Sequence, residues 1–183
     1  MNKAQARSYI SSYLKHNFIA YDDMSVDDCY VMQFKGCKYS PDSILECSVY
    51  FRDTRIDALV YYSKSASINI SQQQDLSKLF RLINFINAKL CPCPYDGMGG
   101  ELYESNYMFN PVLYLTEDGR NDLTFYLNID YDFFEVAPLE ACDFITAAMP
   151  DLLDELAVPI FGALLGFIQI ENAFNMVDSI FDD

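Results

Sequence analysis

The feature that most constrains this chain is a pair of alternating runs, ILECSVYF (44–51) and RIDALVYYS (55–63). In the first, Leu45, Cys47, Val49 and Phe51 alternate with Ile44, Glu46, Ser48 and Tyr50. In the second, Ile56, Ala58, Val60 and Tyr62 alternate with Arg55, Asp57, Leu59 and Tyr61. A period of two sends successive side chains to opposite faces, so each run predicts a strand with one buried face. Only Arg52, Asp53 and Thr54 separate the runs, and a connection that short predicts an antiparallel hairpin.

The pattern returns in PVLYLTEDGRNDLTFYLNIDYDFF (111–134). Asp118-Gly119 tolerates positive φ and predicts a turn between two more strands. In the second of these, Leu123, Phe125, Leu127, Ile129 and Tyr131 share one face, while Thr124, Tyr126, Asn128 and Asp130 share the other. HNFIAYDDM and CYVMQF are shorter extended candidates. Whether the two strand groups join in one sheet is left open by the sequence.

Helical periodicity occupies the remaining segments. The N-terminal stretch predicts an amphipathic helix with Ile10, Tyr13 and Leu14 on one face. Ser71-Gln-Gln-Gln74 fits a capping box and predicts the start of a second helix, carrying Leu76, Leu79, Phe80, Ile83, Phe85, Ile86 and Leu90. From Pro138 onward, Cys142, Ile145, Met149, Leu152, Leu156, Ile160, Leu164 and Phe167 recur at helical steps. Pro150 and Pro159 predict kinks or a break in that stretch, since an interior proline costs roughly 3 kcal/mol. The last residues, QIENAFNMVDSIFDD, predict a short acidic amphipathic helix whose stripe is Ile170, Phe174, Val177 and Phe181. That stripe either packs back on its own subunit or receives a partner, and its four residues are the candidate partner-binding set. The expected organisation is a single α+β domain over residues 1–168, followed by an acidic helix or tail over 169–183.

Composition limits the class of function. At 183 residues, a single chain can bury roughly 70% of its unfolded surface without disulfides or metals. The 14 Phe and 14 Tyr argue for a packed core and against disorder. The formal charge of −15 argues against nucleic acid and against anionic membranes as partners. Residues 1–90 carry eleven Lys and Arg against nine Asp and Glu, whereas residues 91–183 carry Arg120 alone against eighteen acids. Such asymmetry suits either a soluble, self-repelling face or a surface for a basic protein partner. The longest uncharged apolar run, Leu156–Ile170, has 15 residues and contains a proline, short for a bilayer span of about 20. The N-terminus lacks the apolar core of a signal peptide, so the expected location is cytoplasmic, with the six cysteines reduced.

Catalytic and metal motifs are sparse. His16 is the only imidazole and falls at the end of the first predicted helix, where a cation complements the helix dipole. The stretch LCPCPYDGMGG (90–100) lacks the Lys-Ser/Thr of a phosphate loop and leads into a strand where a phosphate loop requires a helix. Cys91 and Cys93 supply two thiols, and no second closely spaced pair completes a zinc site. The stretch therefore predicts a helix-to-sheet connection, with a small metal or redox protein built on Cys91 and Cys93 kept as an alternative.

LFRLINFINAKL, with Asn84 and Asn87 three apart, the hairpin PVLYLTEDGRNDLTFYLNI and the helical EACDFITAAMPDLLDELAVPIFGALLGF appear in that order over residues 76–167. In this the chain resembles the YbjN-like, type III secretion chaperone-like family. The resemblance implies an α+β fold in which an antiparallel sheet is flanked by helices. It also implies a small, acidic, often homodimeric protein that holds a client segment along apolar grooves and needs no cofactor. Asn84 and Asn87 are read either as part of that likeness or as an exposed polar edge. The leading expectation is a non-catalytic protein-interaction module, chaperone-like toward a client protein. The rival is an acidic immunity-type inhibitor of a basic toxin.

Overall fold

A computed structural model describes residues 1–90, 109–116 and 118–182. Cys91 and Cys93, with most of LCPCPYDGMGG, lie outside the described residues. The elements run α1 (Lys3–His16), β1 (Tyr21–Met24), β2 (Cys29–Lys35), β3 (Ile44–Phe51), β4 (Arg55–Tyr62), α2 (Lys64–Ser71) and α3 (Ser77–Leu90). They continue with β5 (Val112–Leu115), β6 (Leu123–Asp130), α4 (Tyr131–Val136), α5 (Pro138–Asp143), α6 (Met149–Leu164) and α7 (Ile170–Asp182). This is an α+β fold.

The six strands form one antiparallel sheet in the order β1-β2-β3-β4-β6-β5. The β3–β4 hairpin places Phe51 opposite Ile56, and the Arg52 N–H closes it on the Arg55 carbonyl at 2.9 Å. In the β5–β6 hairpin, Gly119 sits at φ 84° within the turn. Pairing of β4 with β6 decides the point the sequence left open: the two strand groups are a single sheet. Register aligns Cys47 with Val60 and Val60 with Phe125, so the apolar residues of three strands share one face. That face and the helices stacked on it make the core, where Phe51, Tyr62, Phe125 and Phe134 are fully buried.

Both outer strands of the sheet carry edge protection, which an unpaired strand needs against pairing with another chain. On β1 the protection is Asp22 and Asp23. On β5 it is Asn87 of α3. Its amide nitrogen donates to the Leu113 carbonyl and its oxygen accepts from the Leu113 N–H, both at 2.8 Å. The side chain thus completes the ladder as a strand would. Of the two asparagines noted in the sequence, Asn87 bridges helix to sheet and Asn84 is exposed.

Several local expectations are revised. Ser71 ends α2 instead of starting a helix, and its hydroxyl donates to the Ile68 carbonyl. The segment Lys64–Ser71 is helical because Ala66 and Ile70, four apart, bury together. At the start of α3, Asp75 accepts from the Ser77 N–H at 2.8 Å. The prolines act unequally. A π-helical turn over Phe144–Ala148 immediately precedes Pro150, with the Met149 N–H donating to Phe144. That widened turn absorbs the missing donor and the ring clash of Pro150. Pro159 leaves α6 unbroken to Leu164. Burial of Leu156, Ile160 and Ala163 around it outweighs the proline cost, at roughly 1.5–3 kcal/mol for a large aliphatic side chain.

The C-terminal stripe takes the first of its two predicted fates. α7 packs against α3 and α6, with Val177 and Ala173 fully buried and Ile170 nearly so. The Phe174 ring meets Phe85 at 4.7 Å between centroids, and Lys89 pairs with Asp178 at 2.5 Å. Residues 170–182 thus share the core of the preceding elements. No helix among the described residues is long and apolar enough to cross a membrane.

Replacing Asn87 with Ala leaves the Leu113 N–H and carbonyl without their partners. We expect a loss of about 1–3 kcal/mol in urea denaturation, and faster amide hydrogen exchange at Leu113 than in the parent. An unchanged Leu113 exchange rate would show that the asparagine does not protect this edge.

Candidate functional site

The face of the sheet opposite the helices is built from the other half of each alternating run. Register sets Glu46, Tyr61 and Thr124 in one row, and Ser48, Leu59 and Tyr126 in the next. Tyr50, Leu59, Tyr61, Tyr114 and Tyr126 are half-buried there. Four of the five are tyrosines, at positions where a covered sheet would carry Val, Ile or Leu.

A groove of about 730 Å³ lies on this face. Ser48, Tyr50, Leu59 and Tyr61 line its floor, Lys64, Ser67, Ile68 and Ser71 of α2 form one wall, and the turn from Thr116 to Asp122 forms the other. The walls are tied together, since the Ser67 hydroxyl donates to Asp122 at 2.6 Å. Asp122 in turn donates its N–H to the Thr116 hydroxyl at 2.9 Å. On the floor, the Ser48 and Tyr61 hydroxyls share a hydrogen bond at 3.2 Å. Burial pushes the Tyr61 hydroxyl pKa up, so it stays protonated and able to donate at neutral pH. Lys64 and Arg120 stand beside Glu46, Asp118 and Asp122, so the rim offers charges of both signs.

Next to the groove, the same face carries a buried acid. Asp57 accepts from Arg52 Nε at 3.0 Å, Arg55 Nε at 2.8 Å and the Tyr126 hydroxyl at 2.9 Å. Burial alone would raise the pKa of this carboxyl, but the hydrogen bonds from Arg52, Tyr126 and Arg55 outweigh it and hold the pKa below the ordinary carboxylate value. Arg52 also lies over the Tyr50 ring at 4.6 Å. The Tyr131 hydroxyl donates to the Arg52 carbonyl at 2.6 Å and braces the hairpin from the other side. A brace of this kind keeps the tyrosine face in one arrangement, which lowers the entropy lost when something binds it. The arrangement supplies rings, hydroxyls and backbone-adjacent polar groups suited to contacting a chain laid across the sheet.

The residues singled out from sequence are scattered relative to this face. Ile170 and Val177 are buried beneath α7, and Phe174 and Phe181 are half-buried at the same contact. While α7 is docked, the stripe is occupied by its own chain and is not a free partner surface. His16 ends α1 and is exposed. Cys29, Cys47 and Cys142 are buried, and burial pushes their thiols up, that of Cys142 to about 12. Among the described residues, no group of three or more His, Cys, Asp or Glu is placed to hold a metal ion. The tyrosine face was present in the sequence as the polar half of the alternation. Its signal was Tyr where exposed strand positions ordinarily carry Lys, Glu or Thr. Comparison of the chain with protein-family models, curated proteins and solved structures finds no match.

The Asp57 network makes a pH prediction. Because its folded pKa is depressed, its stabilisation is fully present above the unfolded carboxylate value of about 3.9 and is lost as pH falls through the folded value. An Asp57→Asn variant should be less stable than the parent at pH 7, with the gap narrowing below about pH 4. Urea denaturation from pH 7 to pH 2 tests this, and a gap that stays constant throughout would contradict it.

Proposed function

We propose that this chain is a non-catalytic protein-interaction module that holds a client segment on its uncovered sheet face, in the manner of the secretion-chaperone-like proteins it resembles. One observation carries the reading: a braced, tyrosine-lined sheet face whose groove of about 730 Å³ is walled by α2 and the β5–β6 turn. Tyrosine supplies large contact area at low entropic cost and keeps a hydroxyl for the polar groups of a bound chain. Charge supports a basic partner. Residues 138–182, which span α5 to α7, carry eight acids and no Lys, Arg or His. Attraction from that layer would speed encounter with a positively charged protein. The same acidic layer favours a second reading, an immunity-type inhibitor that caps a folded basic toxin.

Photo-crosslinking distinguishes these readings. A benzoyl-phenylalanine placed at Leu59 or Tyr61, with the protein expressed in its native cells, should yield one discrete protein adduct. The same probe at Phe18, which is 95% exposed in a loop, should yield none. Mapping of the adduct to one extended peptide supports client holding, whereas contacts from several elements of one folded partner support the inhibitor. Absence of any protein adduct from positions 59 and 61, or the same adducts from position 18, would sink the proposal.

A further inference from the structure

A second groove, of about 440 Å³, runs between α6 and α7 on the helical side of the molecule. Tyr39, Val158, Met176 and Ile180 give it an apolar lining, and Glu155 stands on its rim. Val158 is 37% exposed and Tyr39 43%, so the lining meets solvent.

The groove has a fixed wall. The loop carrying Tyr39 is clamped to α6 by Asp154, whose carboxylate accepts from the backbone N–H groups of Lys38, Tyr39 and Ser40 at 2.8, 3.0 and 2.7 Å, and from the Ser40 hydroxyl at 2.6 Å. Burial would raise the pKa of this carboxyl, but the bonds from Ser40, Lys38 and Tyr39 hold it below the ordinary value, so the clamp stays charged at neutral pH. A preformed apolar slot between two helices, about 10 Å apart by ordinary packing, suits the apolar edge of a third helix.

Charge selects the occupant. Asp154 is used by the loop, Asp143 by the Tyr13 hydroxyl and Asp178 by Lys89. Glu155 on the rim and Asp151 one turn earlier on the same face of α6 are exposed. A nearby cation, Lys38, lies over the Tyr39 ring at 4.6 Å and is outside the groove lining.

We infer that the α6–α7 groove docks a basic amphipathic helix of a protein partner. Two or three large apolar side chains of that helix enter between Tyr39, Val158, Met176 and Ile180, and its Lys or Arg residues face Asp151 and Glu155. The inference rests on the protein-interaction reading but uses a different surface from the tyrosine face. The partner would then touch the molecule twice, by an extended segment on the sheet and by a helix here.

The test uses the full chain and a fluorescein-labelled synthetic peptide of about 18 residues, long enough to form an isolated helix. The peptide carries Leu at alternating three- and four-residue steps and Lys on the flanking positions. Fluorescence anisotropy at low salt should show saturable binding that weakens as salt is added. Glu155→Lys and Val158→Asp should each weaken it about tenfold, with circular dichroism unchanged because both side chains are exposed. Glu140→Lys, which reverses an acid outside the groove lining, should leave affinity within about twofold. A peptide with Glu replacing Lys should not bind. Parental affinity in Val158→Asp would overturn the inference. So would equal weakening by Glu140→Lys, binding of the Glu peptide, or no binding of the Lys peptide. Any of these with the crosslinks from positions 59 and 61 intact removes the groove and leaves the sheet-face reading standing.

Discussion

A sheet that is apolar on one face only can hide only that face, and this single constraint organises the molecule. Leu45, Cys47, Val49 and Phe51 on β3 share a layer with Ile56, Ala58 and Val60 on β4 and with Phe125, Leu127 and Ile129 on β6. That surface needs a cover, and the helices that lie on it are tied down by specific contacts as well as apolar ones. The Tyr62 hydroxyl, fully buried, reaches the Leu153 carbonyl of α6 at 2.6 Å. On α1, the Tyr13 hydroxyl donates to Asp143 at 2.6 Å, and burial together with this bond pushes its pKa up to about 12. The first bond fixes α6 on the sheet and the second ties α1 to α5, which adds direction to a hydrophobic attraction that has none of its own.

The consequence appears on the other side. The opposite face carries what the alternation placed there, chiefly Tyr with Ser48, Leu59, Thr124, Glu46 and the buried Asp57, and α2 only walls one side of it. Its rigidity comes from within the sheet, through Asp57 and its two arginines, and from Tyr131 holding the hairpin carbonyl. The helical layer answers with a different surface chemistry. Over residues 138–182 its charged side chains are all acidic, and a shaped apolar slot opens beside Tyr39. The proposed client-holding role would use both surfaces in a complementary way, with diffuse charge for encounter and shaped grooves for residence.

Much of this architecture was legible beforehand for physical reasons. The period-two runs named the strands and their faces, because burial on one side leaves a direct imprint on composition. Asp118-Gly119 named its turn because few residues accept positive φ. The helix of residues 64–71 escaped notice because two turns held by Ala66 and Ile70 leave too few apolar positions for a period to show. Ser71 misled because a capping box is a local pattern, whereas the actual helix boundary was set by how Ile70 packs.

What the chain determined by itself was therefore local and periodic: which residues face inward, where turns form, and how unevenly charge is distributed. Only the tertiary structure decided that β4 pairs with β6 and that α7 returns to α3 and α6. It also decided that Asn87 completes an edge strand and that Asp154 clamps a loop more than a hundred residues away in sequence. These are pairings between distant residues, each chosen by the summed burial of the whole core. A one-dimensional pattern records that a side chain seeks a partner without recording which one it finds.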